Sequence, residues 1–163
     1  MKKQEKTNVM RILDAKKIVY RGHSYEQDAS MSGAEIAEIL NENPEQVFKT
    51  LVTAGKSGQH YVFVVPVYAE LHLKKAAKAA GEKAVSMIPQ KELLPLTGYV
   101  HGGCSPIGMK KAFPTFIDTS ARECETMFVS GGRLGFQIEL APGDLADATG
   151  AVFAELVSCL NHF

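Results

Sequence analysis

The chain has 163 residues, of which 45% are hydrophobic and 22% are charged, a composition typical of a single globular domain with its own core. Eighteen basic residues balance eighteen acidic ones, and a net charge of zero argues against a protein that coats DNA regardless of sequence. The longest apolar run, 61–69, is too short to cross a bilayer. No signal peptide is evident, and three unevenly spaced cysteines do not suggest a disulfide framework. We therefore expect a reduced, cytoplasmic protein.

Hydrophobic periodicity and turn residues predict an alternation of short helices and strands. In chain order the predicted elements are a helix over 7–16, a strand over 18–25, a helix over 32–40, a hairpin of strands over 47–55 and 59–67, a helix over 70–81, a short helix within 91–98, a strand over 113–118, a hairpin over 126–141 and helices over 142–150 and 151–160. Thr7 or Asn8 is the expected N-cap of the first helix, and Ser32 with Glu35 forms a capping box on the second. Because strands outnumber convincing βαβ units, we predict an α+β fold with a mixed, largely antiparallel sheet flanked by helices.

Lys49 interrupts an otherwise apolar strand. The period of two leaves both faces of 47–52 mostly apolar, which indicates a central strand with a lysine in its middle. A fully buried ammonium is costly unless it is paired. Lys49 therefore either lies at an edge and reaches water, or lines a cleft where an anionic partner binds; the pattern favours neither.

The strand "FQIEL" (136–140) alternates in the same way, with Gln137 and Glu139 on one face. Such alternation is most typical of a sheet face open to solvent. The alternative is that one of these polar groups points into the same cleft as Lys49.

The segment "YVHGGCSPIGMKK" (99–111) combines residue types found in active sites. A nucleophilic Cys104 would need a base, and His101 need not face it along an extended loop. A zinc site built from these two residues lacks the close paired spacing of structural zinc sites. We expect neither a catalytic cysteine nor a metal, and we predict no cofactor.

The glycines of the same segment make the stronger case. Gly102 and Gly103 can adopt positive φ and allow a ligand to approach the backbone, while Pro106 keeps Ser105 extended and stiffens the loop. Adjacent N–H groups on such a turn suit a developing oxyanion, although the pair taken alone is more simply a tight turn.

Five segments, taken together and in order, resemble one family. They are "HSYEQD" (23–28), "NPEQVFKTLV" (43–52), "GYVHGGCSPIGMKK" (98–111), "PTFID" (114–118) and "VSGGRLGFQIEL" (129–140). In this combination the chain resembles the bacterial Cys-tRNA(Pro) deacylases of the YbaK/EbsC type, freestanding relatives of the editing insertion domain of prolyl-tRNA synthetase. The resemblance covers about 12–156 and implies one editing domain over 1–163 with a curved, barrel-like sheet.

The resemblance implies a trans-editing enzyme that clears cysteine mistakenly attached to proline tRNA. The family's essential lysine falls on Lys49 and its loop glycines on Gly102 and Gly103. The implied substrate-binding positions are Tyr25, Ser32, Thr50, Ser105, Ser130 and Gln137. Ser32 and Gln137 replace an aromatic residue and an aspartate of some members, and the second replacement argues against a carboxylate as general base.

The family's expected chemistry uses a nucleophile from the substrate: the cysteinyl thiol closes on its own ester carbonyl and expels the tRNA as a thiolactone forms. The enzyme would then position the substrate and stabilise the oxyanion, with Gly102 and Gly103 N–H groups as donors and Lys49 at the terminal nucleotide or the α-amino region. Such chemistry separates cysteine from proline, which an apolar pocket cannot do by size.

Two other functions stay open from the sequence. One is a deacylase of another misacylated tRNA, such as Ala-tRNA(Pro), that uses activated water; the other is a non-catalytic module that binds tRNA ends or a synthetase. The expected partners are the 3′ end of an aminoacylated tRNA and prolyl-tRNA synthetase, with neither DNA nor a membrane among them.

Overall fold

The computed structural model describes residues 6–26 and 32–158. The lysines at 2 and 3, residues 27–28 of the first family segment, Cys159 and the last residues of the predicted C-terminal helix lie outside the described residues.

The described part of the chain contains five α-helices, eight strands and three short 3-10 helices, Pro44–Gln46, Gln90–Glu92 and Thr119–Glu123. The helices are α1 Asn8–Ala15, α2 Gly33–Ile39, α3 Leu73–Ala80, α4 Leu93–Thr97 and α5 Pro142–Thr149. The strands are β1 Arg21–Ser24, β2 Phe48–Gly55, β3 His60–Pro66, β4 Val85–Met87, β5 Thr115–Asp118, β6 Met127–Ser130, β7 Phe136–Leu140 and β8 Val152–Ala154. No helix in these ranges is long and apolar enough to cross a membrane.

Local sequence signals fix several helix ends. The Thr7 side chain accepts a hydrogen bond from the Met10 N–H and caps α1. Ser32 and Glu35 form the predicted capping box of α2, and Gly81 ends α3 in the left-handed conformation. These three predictions are confirmed.

The strands form two open sheets. One has the order β1-β7-β6 and the other β4-β2-β3-β5-β8; only the pairs β3–β5 and β5–β8 are parallel. An isolated bridge between Val47 and Phe128 joins the sheets. The α+β fold with largely antiparallel pairing is confirmed, whereas neither sheet closes into the barrel that we expected.

The predicted helix over 151–160 is wrong in its described part. Gly150 ends α5 with positive φ, and Val152–Ala154 then forms β8, parallel to β5. Val152 and Phe153 favour strand conformation, and β8 covers an edge of β5 that would otherwise be unpaired. The short strand β4 was not predicted, and β1 begins three residues later than expected.

The main core fixes the loop over 99–111 against the body of the protein. Tyr99 and Ile107 are buried in the cluster that also contains Val9 and Ile138, and the Tyr99 hydroxyl donates a hydrogen bond to the Ile107 carbonyl. The middle of this loop is therefore held beside β2 and the β6–β7 hairpin.

Candidate active site

A cavity of about 440 Å³ opens between β2, the start of α2, the β6–β7 hairpin and the loop over 99–111. Its volume lies in the range of small-molecule sites. Most residues that the sequence assigned to the site line it, namely Tyr25, Ser32, Lys49, Thr50, Gly102, Ser130 and Gln137.

Lys49 lies on β2 opposite Val65 of β3, and its side chain lines the cavity. The sequence left two positions open for Lys49, a sheet edge in contact with water or a cleft, and the structure places it in the cleft. Burial lowers the pKa of the Lys49 ammonium, and the negative charge of Glu70 partly offsets this effect. Within the described residues Lys49 makes no ion pair, so it is available to an anionic ligand.

Gly102 brings the backbone of the loop to the cavity wall. Its φ is +88°, and a Cβ there would lie 2.7 Å from Leu134 Cδ2 in the β6–β7 turn. The positive φ favours glycine at this position, whereas the end of the Leu134 side chain could move aside for a Cβ. No described group accepts a hydrogen bond from the Gly102 N–H.

Gly103 has a different role from the one expected. Its N–H donates to the Val100 carbonyl at 2.9 Å, and the residue is buried outside the cavity lining. A Cβ on Gly103 would lie 3.2 Å from the Leu134 backbone nitrogen. In this geometry Gly103 closes the turn and packs it on the hairpin, and its N–H is not free to bind an oxyanion.

Ser105 also lies away from the cavity. It is fully buried, and its Oγ accepts a hydrogen bond from the Ile107 N–H at 3.2 Å. In this conformation the Ser105 hydroxyl stabilises the loop, and its predicted contact with substrate stays a prediction that the cavity lining does not support.

Cys104 lines the cavity, which the sequence argument did not anticipate. Burial raises the pKa of its thiol to about 12, so that it is protonated near neutral pH and a poor nucleophile. Its backbone N–H, like that of Gly102, has no acceptor among the described residues. Cys104 thus contributes an apolar wall to the cavity, and its N–H is not engaged by a described group.

The lining hydroxyls differ in how far they are already engaged. Ser32 Oγ accepts from the Glu35 N–H, and Ser130 Oγ accepts from the Gly132 N–H at 3.2 Å. The buried Thr50 Oγ1 has no hydrogen-bond partner in the described structure. Burial raises the pKa of the Tyr25 hydroxyl, which keeps it a neutral donor.

The polar face of β7 does not lie open to solvent. Gln137 is 5% exposed and lines the cavity, whereas Glu139 accepts hydrogen bonds from Thr126 Oγ1 at 2.6 Å and pairs with His23 Nε2 at 3.0 Å. The expectation of a face open to solvent is wrong for Gln137, which is buried beside Glu42 of the turn after α2.

Across residues 6–26 and 32–158, no three His, Cys, Asp or Glu side chains are close enough to hold a metal ion.

Comparisons with known proteins agree on one family. The model of the aminoacyl-tRNA editing domain matches residues 27–148. EbsC of Enterococcus faecalis, named as a proposed Cys-tRNA(Pro)/Cys-tRNA(Cys) deacylase, is 43% identical over 158 residues, which is 96% of each chain.

Solved structures show the same fold. The protein APE2540 superposes with a TM-score of 0.84 at 26% identity, over 92% of this chain and 99% of the other. A proposed trans-editing enzyme for prolyl-tRNA synthetase superposes with a TM-score of 0.79 at 23% identity, over 94% and 99% of the two chains.

Proposed function

The chain belongs to the aminoacyl-tRNA editing domain family, whose activity is deacylation. We propose that its substrate is Cys-tRNA(Pro) and that the substrate's own thiol takes part in the cleavage. The observation that carries this proposal is that the thiol in the described cavity lining is not activated, since burial raises its pKa to about 12. The described lining contains no carboxylate, and its one imidazole is that of His101.

The proposed reaction has two steps. The cysteinyl sulfur attacks the ester carbonyl, an S–C bond forms, the bond from that carbon to the ribose oxygen breaks, and the thiol proton passes to the leaving oxygen. Water then opens the four-membered thiolactone to free cysteine. The protein contributes orientation and charge stabilisation, with the Gly102 and Cys104 N–H groups as the candidate oxyanion donors.

Lys49 is proposed to bind the anionic end of the tRNA. Its ammonium is partly desolvated and without an ion-pair partner in the described structure, so a phosphate entering the cavity mouth would meet a cation already held in place. Thr50 Oγ1, the buried hydroxyl without a partner, is proposed to bind a ribose hydroxyl next to it.

The decisive experiment compares Cys-, Ser- and Ala-tRNA(Pro) as substrates. A reaction that needs the side-chain thiol should clear the cysteinyl ester and act at least about a hundredfold more slowly on the other two. Comparable turnover of Ser- or Ala-tRNA(Pro) would instead indicate activated water and defeat the thiol mechanism.

A substitution of Lys49 tests whether the cavity is the active site. We expect Lys49→Ala to reduce deacylation by at least about a hundredfold, since it removes the charge that positions the substrate, while the circular dichroism spectrum is unchanged. Lys56→Ala, at an exposed turn residue, is the matched control and should keep full activity. A fully active Lys49→Ala variant would place the reaction elsewhere.

The partner proposed for specificity is prolyl-tRNA synthetase. A neutral chain with a small cavity has little means of recognising the body of a tRNA, so discrimination in favour of tRNA(Pro) would come from docking beside the synthetase. Adding the synthetase should then raise the preference for Cys-tRNA(Pro) over Cys-tRNA(Cys).

A further inference from the structure

Gln137, which lines the cavity, has an unsatisfied buried acceptor. The residue is 5% exposed, and its Oε1 is buried with no hydrogen-bond donor in the described structure. An unpaired buried carbonyl is unfavourable unless a ligand completes it. The atom therefore marks a place where a donor from the substrate is expected.

A carboxylate lies behind this amide. Glu42, in the turn after α2, is anchored by its N–H to the Ala37 carbonyl at 2.8 Å. Both of its carboxylate oxygens are buried, and neither makes a hydrogen bond of ordinary geometry to a described residue. Burial raises the pKa of the Glu42 carboxyl, and the adjacent Gln137 amide lowers it in part.

The other charged groups near Glu42 are already engaged or repulsive. His23, which faces Gln137 across the β1–β7 pair, holds its Nε2 on Glu139 at 3.0 Å. Glu139 itself raises the pKa of Glu42 further, whereas His23 lowers it. Gln137 is thus the polar group through which Glu42 can influence the cavity.

An amide has one donor end and one acceptor end. A carboxylate on one side favours the NH₂ group facing it and leaves the carbonyl facing the opposite way. Glu42 therefore selects the orientation in which Gln137 Oε1 points into the cavity, and it adds a recessed negative charge behind that oxygen. A ligand group with both N–H donors and a positive charge fits this arrangement.

We propose that Glu42 is a positioning residue, which orients Gln137 so that its Oε1 accepts a hydrogen bond from the α-ammonium of the esterified amino acid. This inference rests on the proposed function, because it identifies the cavity as the site of an aminoacyl ester. The sequence argument against a carboxylate as general base is unaffected, because Glu42 is proposed to orient Gln137 and not to act as a base. Lys49 then serves the anionic part of the substrate, since two cations would repel each other.

The test uses two uncleavable probes and calorimetric binding near pH 7. One is adenosine carrying cysteine through a 3′-amide, and the other is the same molecule with the α-amine replaced by hydrogen. The wild-type protein should bind the amine-bearing probe about tenfold more tightly, as expected for one charge-assisted hydrogen bond. In Glu42→Gln and Gln137→Leu this ratio should fall to about one.

Glu38→Gln, on the exposed face of α2, removes the same charge and should keep the tenfold ratio. The melting temperature of Glu42→Gln should not fall, because the change removes a buried charge that no described cation compensates at short range. Three results would overturn the inference: a wild-type protein that binds both probes equally or binds neither, a Glu42→Gln variant with the wild-type ratio, or an equal loss of affinity for both probes.

Turnover separates this inference from the proposed function. A wild-type protein that discriminates between the probes but does not cleave Cys-tRNA(Pro) would refute the proposed substrate and support the α-amine contact. A wild-type protein that cleaves Cys-tRNA(Pro) but binds both probes equally would support the substrate and refute the α-amine contact.

Discussion

Burial shifts the pKa values of Lys49 and Cys104, which both lie on the cavity wall, in opposite directions. It lowers the pKa of Lys49 and raises that of Cys104, because it disfavours the charged form of each. The Cys104 thiol is thereby kept neutral. Burying the charged Lys49 ammonium costs free energy, and a bound anion would reduce that cost.

Cys104→Ala should leave deacylation within about twofold of the wild-type rate. A thiol with a pKa of about 12 is almost wholly protonated at pH 7.5, and only the thiolate is a good nucleophile. The measurement is single-turnover deacylation of Cys-tRNA(Pro), with alkylation of the native protein as a companion. A rate reduced a hundredfold, without a loss of folded protein, would return Cys104 to the role of nucleophile.

Lys49→Met should stabilise the protein while it abolishes turnover. The folded-state pKa of Lys49 is below its ordinary value, so the unfolded chain binds more protons between the two pKa values, and the wild-type free energy of unfolding rises with pH in that interval. Below the folded pKa the protein carries the full cost of burying the ammonium. We expect the variant to be more stable at pH 7, by no more than about 1 kcal/mol because solvent still screens the half-buried ammonium.

The difference in free energy of unfolding between Lys49→Met and the wild type should shrink as the pH rises through the folded pKa of Lys49 towards 10.5, because the wild-type lysine then loses its charge. Urea denaturation at pH 7 and pH 10 measures both points, and Lys56→Met at the exposed turn is the control. A variant less stable than the wild type at pH 7 would show that Lys49 has a stabilising partner.

At the scale of elements, the sequence was sufficient wherever a local signal determined the structure. The Thr7 cap, the Ser32–Glu35 capping box and the β2–β3 hairpin depend on neighbours in the chain, and all three occur as predicted. The residues after Gly150 do not have such a signal. Their apolar pattern suits a short helix or a strand, and the open edge of β5, which lies more than thirty positions away, decides for the strand.

The candidate site divides in the same way. Lys49 and Gly102 could be assigned from the sequence because a lysine in an apolar strand and a glycine pair in a loop are unusual. Gly103 and Ser105 could not be separated from Gly102, because their orientation depends on the packing of the turn against Leu134 and Ile107. Glu42 gave no signal, since its proximity to Gln137 arises only in the folded chain.

Gly103→Ala should displace the loop that carries the candidate oxyanion donors. A Cβ there would lie 3.2–3.4 Å from backbone atoms of Arg133 and Leu134, which cannot move aside as the end of a flexible side chain can. We expect a loss of about 1–3 kcal/mol in stability and at least about a tenfold loss in deacylation. Thermal unfolding and single-turnover rates measure the two effects.

Gly143→Ala is the matched control, because a Cβ at that helix position meets nothing within 4 Å. Its stability should be unchanged or slightly higher, and its activity should be that of the wild type. If Gly103→Ala behaved in the same way, the loop would not depend on its contact with the β6–β7 turn.

At the scale of the whole molecule, a net charge of zero means that any attraction for tRNA must come from where the charges lie. Lys110 and Lys111 are exposed on the loop that supplies Gly102 and Cys104 to the cavity. Lys74 and Lys78 are exposed on α3, which contributes nothing to the cavity lining. The two pairs thus carry the same charge, but of the two elements that bear them only the loop contributes described residues to the cavity lining.

Replacing both Lys110 and Lys111 by alanine should lower kcat/KM for Cys-tRNA(Pro) several-fold at low salt. It should also reduce the slope of log kcat/KM against log salt by about one to two, because each lysine on a phosphate releases about one counterion. Replacing both Lys74 and Lys78 removes the same charge and should change neither quantity, because α3 contributes no residue to the described cavity lining. The measurement is deacylation over a series of salt concentrations for the two double variants and the wild type. Equal effects of the two pairs would mean that the protein attracts tRNA through its overall field, and the loop over 99–111 would then have no special place in docking.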